Sequence, residues 1–200
     1  MVDRSIPFYN LILRCDQPTP AEPVLPEGFI LRPYVPGDEA LWAALEHEVG
    51  DFDSPQEAED YFRRTYLPHE GALRKRCWFV TTPGGGCAGT CIAWRDPKEG
   101  GTVASLHWLV VSQRYQRLGL GRALCQKVLN VFAEKGEAPV YIHTQPWSWK
   151  AVLLYGSLGF RIQQSDTFAR YENQYPQAMA ALEAVLTAEQ LAIAETLIDP

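Results

Sequence analysis

The hydrophobic positions of the chain fall into short β-type runs and longer stripes at helical spacing. Phe29 to Tyr34 alternates and reads as a first strand. Asp38 to Val49 carries Leu41, Trp42, Leu45 and Val49 at helical spacing with acids early in the run, and predicts a helix. A second helix starts at Ser54, where Ser-Pro-Gln-Glu supplies an N-cap, a proline at the first position and a Glu in the capping-box place. Cys77 to Thr82 and Cys87 to Trp94, joined by Pro83-Gly84-Gly85-Gly86, predict a hairpin with a long glycine loop. Thr102 to Val111 is the longest strand candidate, and Leu120, Leu124, Val128, Val131 and Phe132 then form one stripe of a helix that stops near Gly136. Val140 to Thr144 reads as a strand, Ser148 to Ser157 as a short helix, and Phe160 to about Tyr171 as extended chain. This order predicts an α/β fold of the α+β type, a mixed sheet with helices on both faces.

The two ends depart from this pattern. Phe8 to Leu13 is apolar, but Pro18, Pro20, Pro23 and Pro26 follow, so residues 1–28 read as an extended arm on the domain rather than part of its sheet core. Pro176 to Ile198 reads as a helix, broken near Thr187, that covers its own domain or docks a second subunit to make a homodimer. The expected division is an arm at 1–28, a main domain at 29–172 and a C-terminal helix at 173–200.

Composition narrows the function classes. Hydrophobic residues make up 46% and charged residues 21%, ordinary for a globular chain. A net charge of −6 argues against nucleic acid or an anionic membrane as a partner. No apolar run approaches the roughly 20 residues of a membrane helix. The start Met-Val-Asp-Arg-Ser-Ile-Pro has no secretion-signal pattern. Cysteines 15, 77, 87, 91 and 125 form no close metal-type pair and read as reduced thiols, so a cytoplasmic protein without a metal is expected.

Candidate chemistry begins at Gln116 to Gly121, read Gln-Arg-Leu-Gly-Leu-Gly, a strand-to-helix joint. Its glycines let backbone N–H groups approach a ligand, and a helix opening at Gly119 or Leu120 adds its positive end, so a phosphate is the expected occupant. A nucleotide-triphosphate loop needs Lys and Ser or Thr after the second glycine, where this chain has Arg122 and Ala123. A dinucleotide-binding turn needs a third glycine where this chain has Leu124, which argues against a nicotinamide-dependent oxidoreductase.

With Val111 five residues upstream of Gln116, the joint resembles the Gln/Arg-x-x-Gly-x-Gly/Ala element of the GCN5-related N-acetyltransferase family. Downstream, Ser148 to Phe160, reading Ser-Trp-Lys-Ala-Val-Leu-Leu-Tyr-Gly-Ser-Leu-Gly-Phe, resembles that family's Asn-x-x-Ala-x-x-Leu-Tyr-x-x-x-Gly-Phe segment. The resemblance spans about residues 29–172. It implies a centrally splayed sheet and acetyl-CoA as co-substrate, with the backbone of Gln116, Arg117, Leu118, Gly119, Leu120 and Gly121, together with Arg122, around the pyrophosphate. It further implies main-chain hydrogen bonds from Leu109 and Val111 to the pantetheine arm, with Arg114 and Arg117 adding charge near the phosphates or simply forming a solvated turn. Ser148 stands where the family has Asn; its contact with the cofactor is in doubt, and as a helix N-cap Ser has a sufficient local role.

Tyr155 occupies the place of the family's general acid, which protonates the departing thiolate; a core tyrosine is the alternative. An amine acceptor must first lose a proton, and His107 is the expected base, two residues from Leu109 on an alternating strand, with Glu46 and Glu48 as further candidates. Trp108, Trp147 and Trp149 either wall the acceptor pocket or pack in the core, and Cys125 is read as packing rather than as a nucleophile. The expected activity is direct acetyl transfer from acetyl-CoA to a small-molecule or protein amine. The rival class is an acyl-CoA-binding sensor or subunit that has lost catalysis.

Overall fold

The computed structural model describes residues 3–199; Met1, Val2 and Pro200, the outermost residues of the expected arm, leader reading and C-terminal helix, lie outside them. In chain order the elements are β1 (Leu11–Cys15), β2 (Ile30–Pro33), α1 (Glu39–Val49), α2 (Pro55–Thr65), α3 (Glu70–Arg76), β3 (Cys77–Thr81), β4 (Cys87–Lys98), β5 (Gly101–Val111), α4 (Leu120–Glu134), β6 (Val140–Thr144), α5 (Trp149–Gly156), β7 (Arg161–Ile162), α6 (Tyr175–Glu183) and α7 (Ala188–Thr196). The strands form one mixed sheet in the order β2-β3-β4-β5-β6-β1-β7. β5 runs parallel to β6, whereas β2–β3, β3–β4, β1–β6 and β1–β7 are antiparallel.

The chain packs as two compact units, and β4 and β5 each pass from one into the other. The first unit comprises Pro20–Trp94 and Leu106–Val131. Its core gathers Tyr34, Trp42, Phe62, Tyr66, Phe79 and Ile92. Helix α1 is tied to β2 by Asp38, whose carboxylate takes both guanidinium N–H groups of Arg32 at 2.6 and 2.8 Å and the Val35 N–H at 2.8 Å. Helix α2 starts as its sequence predicts, with Pro55 at the first position and the Ser54 hydroxyl accepting from the Glu57 N–H. Along α4 the stripe Leu120, Leu124, Val128, Val131 and Phe132 is buried.

The second unit holds the described residues up to Thr19, Arg95–Ser105 and the chain from Phe132 onward. Here two expectations are corrected. Leu11–Cys15 is a strand of the sheet, paired with β6 on one side and β7 on the other, and Leu11, Ile12 and Leu13 are fully buried. The prolines flank this run instead of interrupting it, so every residue keeps the N–H donor that an interior strand requires. Phe160 to Tyr171 forms only the two-residue strand β7, because the chain then curls around Asp166. That carboxylate accepts from Lys98, from the Tyr141 hydroxyl at 2.7 Å, from Arg14 at 3.3 Å and from the Thr167 N–H at 2.8 Å.

The C-terminal segment is two helices, and α7 opens at Thr187 with a capping box shared with Gln190. It packs on its own unit: a Cβ built on Gly156 would lie 2.1 Å from Leu197 Cδ1, and Ile162 bridges Ile198 in parallel. Leu13→Ala is expected to lower unfolding free energy by about 2–5 kcal/mol, the range for truncating a fully buried leucine. Urea denaturation measures it. A loss below about 0.5 kcal/mol, the surface range, would return this segment to an arm.

Candidate functional site

The joint between β5 and α4 lies in the first unit and is built by backbone conformation. After Val111 the chain makes one 3-10 turn over Gln113–Tyr115. Arg117 then adopts the left-handed region at φ 64° and Gly119 at φ 83°, before α4 opens at Leu120 with the Ala123 N–H on the Gly119 carbonyl at 3.0 Å. Sequence reasoning assigned the turn to the glycines and missed Arg117. Gln116, Arg117, Leu118 and Gly119 are exposed, and a Cβ built on Gly119 would meet no heavy atom within 4 Å. The open side of this loop and the positive end of α4 together suit an anion.

Glu48 holds the start of the joint in place. Its carboxylate accepts from the Ser112 hydroxyl at 2.8 Å and the Gln113 N–H at 2.9 Å, a structural part that competes with the base role weighed from sequence. Gln116 Nε2 donates to the Val111 carbonyl at 3.3 Å, so one of the main-chain groups expected to serve a ligand is engaged by the joint itself. The Arg114 guanidinium lies over the Tyr115 ring.

Upstream on β5, Trp108 has φ 50°, a left-handed value inside a strand and an outlier for so bulky a residue. Its ring packs against Trp42, Phe52 and Tyr61 at 5.4–5.5 Å between centroids. The regular alternation that puts His107 and Leu109 on one face does not carry across such a residue. His107 Nδ1 is instead 2.8 Å from the hydroxyl of Tyr66, a contact no spacing rule reveals across 41 residues of chain.

Glu46 is fully buried. Neither of its oxygens makes a hydrogen bond of good geometry; Asp51 approaches closely enough to repel it. Burial, then the charge of Asp51, raises this carboxyl well above the ordinary carboxylate range. Cys125 is fully buried beside Cys91, whose thiol burial pushes up, as packing requires. Among the described residues no group of three or more His, Cys, Asp or Glu side chains is arranged for a metal ion, and no helix is long and apolar enough to cross a membrane.

The second motif lies in the second unit. Tyr155 is on α5, buried, with its ring 6.0 Å from that of Phe160. Ser148 stands at the N-cap position, yet its hydroxyl caps nothing: it accepts from Gln145 Nε2 at 3.3 Å. The N-cap expectation holds for position and fails for the bond, because the chain enters α5 through a 3-10 turn that leaves Ser148 outside the extended conformation of a side-chain cap. Trp147 packs against Phe8 at 5.1 Å.

A buried carboxyl with a raised value keeps its proton in the folded state, while the unfolded chain releases it above about pH 4.3. The native protein then binds more protons, and stability falls as pH rises toward the raised value. Thermal melts from about pH 5 to about pH 8 are therefore expected to fall further for the wild type than for Glu46→Gln. Parallel curves would contradict this. Glu48→Ala removes a charged acceptor, a bond worth about 1.5–3 kcal/mol, so exchange of the Gln113 amide is expected to quicken about tenfold or more, and unchanged exchange would remove the clamp role.

The sequence model of the Acetyltransferase (GNAT) family matches residues 41–160. A mycothiol acetyltransferase of Streptomyces bingchenggensis (strain BCW-1) is 30% identical over 159 residues, covering 76% of this chain and 49% of the relative. The [Ribosomal protein bS18]-alanine N-acetyltransferase of Escherichia coli (strain K12) is 33% identical over 85 residues, 42% of this chain and 54% of the relative. The chain spans about half the length of these curated relatives. In fold it matches a GCN5-related N-acetyltransferase from Sphaerobacter thermophilus, with TM-score 0.59 and 20% identity over 80% of this chain and 51% of that one. Another such protein from Ralstonia eutropha JMP134 matches with TM-score 0.53 and 22% identity over 70% and 94% of the two chains. The chain belongs to the GCN5-related N-acetyltransferase family.

Proposed function

We propose that this chain transfers an acetyl group from acetyl-CoA to a primary amine by direct attack in a ternary complex. The observation that carries the reading is the exposed joint at Gln116–Gly121, with left-handed Arg117 and Gly119 leading into the first turn of α4, in a chain of this family. An anion there meets backbone N–H groups and the helix dipole at once, which suits a pyrophosphate. In this reading Gln116, Arg117, Leu118, Gly119, Leu120, Gly121 and Arg122 hold the pyrophosphate. Leu109 and Val111 are the residues we assign to the pantetheine arm through main-chain groups, and Ser148, the counterpart of the family's Asn, is assigned to the cofactor by that resemblance alone.

The amine nitrogen forms a bond to the thioester carbonyl carbon, and collapse of the adduct breaks the carbon–sulfur bond. A thiolate leaving group has a proton affinity near that of cysteine, about 8.5, so a phenol improves its departure. Tyr155 is the residue we assign to that proton, and the thiolate carries it away as the thiol. His107 is the second catalytic residue, and what it contributes depends on which ring nitrogen carries the proton. The acceptor class is an amine of a small molecule or a protein, the two kinds named by the relatives' own activities. Five free cysteines support a reducing compartment such as the cytoplasm.

A panel of amines with acetyl-CoA, read by a thiol-reactive dye, tests the activity. Acetyl-CoA binding with no amine-dependent thiol release would favour the sensor class. Tyr155→Phe is expected to lower kcat about a hundredfold or more, with the Kd for acetyl-CoA within about threefold of wild type. Unchanged kcat at every pH would remove Tyr155 from the reaction.

A further inference from the structure

Val111 ends β5, and its two neighbours fix the direction of its main-chain groups. The Ser112 N–H donates to the Ala88 carbonyl on β4 at 2.9 Å, and a Cβ built on Gly89 of β4 would lie 2.7 Å from the Val110 carbonyl oxygen. Both groups therefore face β4. Main-chain groups alternate sides along an extended strand, so the Val111 carbonyl turns to the opposite edge of β5. The strand on that edge is β6, and it pairs with β5 at Ala104 and Ser105, upstream of Val111. At Val111 a side chain takes the strand's place. The 3-10 turn over Gln113–Tyr115, clamped at its start by Glu48, folds the chain back until Gln116 Nε2 donates to the Val111 carbonyl at 3.3 Å. That bond is long against the usual N–H to oxygen distance of about 2.9–3.0 Å, and Gln116 is exposed, so water competes with it.

We propose that the Gln116 side chain is a latch on the Val111 carbonyl, one that an amide N–H of the pantetheine arm displaces, so that Gln116 lowers the affinity for acetyl-CoA. The proposal rests on the acetyl-CoA reading of the joint. An arm laid along this edge as an added strand brings its N–H to the oxygen from the side that Gln116 already holds. The exchange is like for like, one amide N–H to one carbonyl, and the released carboxamide finds water. What the latch costs the ligand is therefore the net worth of a single exposed hydrogen bond, about twofold to tenfold in Kd. It concerns the side chain alone; the backbone of Gln116 keeps the part proposed for it at the pyrophosphate.

The test compares two ligands in wild type, Gln116→Ala and Gln116→Met, the last keeping the length of the side chain without its donor, with folding checked by thermal melting. Acetyl-CoA carries the arm; 3′-phospho-ADP carries the phosphates of the same molecule and no arm. Calorimetric titration is expected to show both variants binding acetyl-CoA about twofold to tenfold more tightly than wild type, with 3′-phospho-ADP bound equally by all three. A parallel change for both ligands would place the effect at the phosphates and overturn the latch, as would a weaker Kd for acetyl-CoA alone. Nitrogen-15 NMR follows the bond itself, the Gln116 side-chain signal being identified by its loss in Gln116→Met. A hydrogen-bonded amide in the free protein is expected, moving to the position of a solvated amide with acetyl-CoA and staying bonded with 3′-phospho-ADP. A solvated amide in the free protein, or one that stays bonded with acetyl-CoA because the carbonyl accepts twice, would overturn the proposal. Binding of acetyl-CoA without the expected gain sinks the latch alone; no binding by wild type or either variant sinks the acetyl-CoA reading, and the latch with it.

Discussion

The first unit depends on a strand residue held in the wrong hand. Trp108 at φ 50° carries a backbone strain of order 1–3 kcal/mol for a bulky side chain, and it persists only because its surroundings over-determine it. Those surroundings are aromatic: Trp42 from α1, Phe52 from the following loop and Tyr61 from α2 close on the Trp108 ring in tilted and edge-to-face contacts. Each such pair is worth about 0.5–1.5 kcal/mol beyond burial, enough together to offset the strain. The consequence passes along β5 in both directions. Upstream, His107 meets the buried hydroxyl of Tyr66; downstream, Leu109 to Val111 run into the joint that Glu48 clamps.

What the sequence reveals follows from which forces are local. The stripe on α4, the Ser54 cap with Pro55 and the hairpin across Pro83–Gly86 are each set within a few residues, and each is found as read. The break at Thr187 has the same origin, since a capping box is written in four consecutive positions. The joint was legible because glycine at 119 supplies the left-handed turn it needs. Leu11–Cys15 was misread because proline density was weighed over a window, although only a proline inside a strand removes a ladder donor. The Tyr66–His107 and Glu48–Ser112 bonds span 41 and 64 residues of chain, and nothing in local spacing marks either. Trp108 was invisible for a further reason: a left-handed tryptophan contradicts its own propensity, and only the packed cluster explains it.

These long-range contacts redistribute the acid–base groups of the first unit. Three side chains qualified as bases from residue type and position, and each has another occupation in the fold. Glu46 is fully buried, and burial and then the charge of Asp51 raise its carboxyl well above the ordinary carboxylate range. Glu48 accepts from the Ser112 hydroxyl and the Gln113 N–H, and taking a proton from an amine would weaken that clamp. His107 Nδ1 is engaged with the buried Tyr66 hydroxyl at 2.8 Å.

Direct transfer is compatible with this distribution, because the step that most needs a proton from the protein is departure of the thiolate, a step that a phenol, ordinarily near pKa 10, can serve as donor. An acceptor amine that reaches the thioester already neutral needs no base within bonding distance. The chemistry then favours amines whose ammonium form gives up its proton readily to water, such as those with an electron-withdrawing neighbour on the adjoining carbon. A simple alkylammonium near the lysine value of about 10.4 is neutral in only about one molecule in 2,500 at pH 7. Acceptor selectivity in this reading starts with proton loss in solution, before any contact with the protein is made.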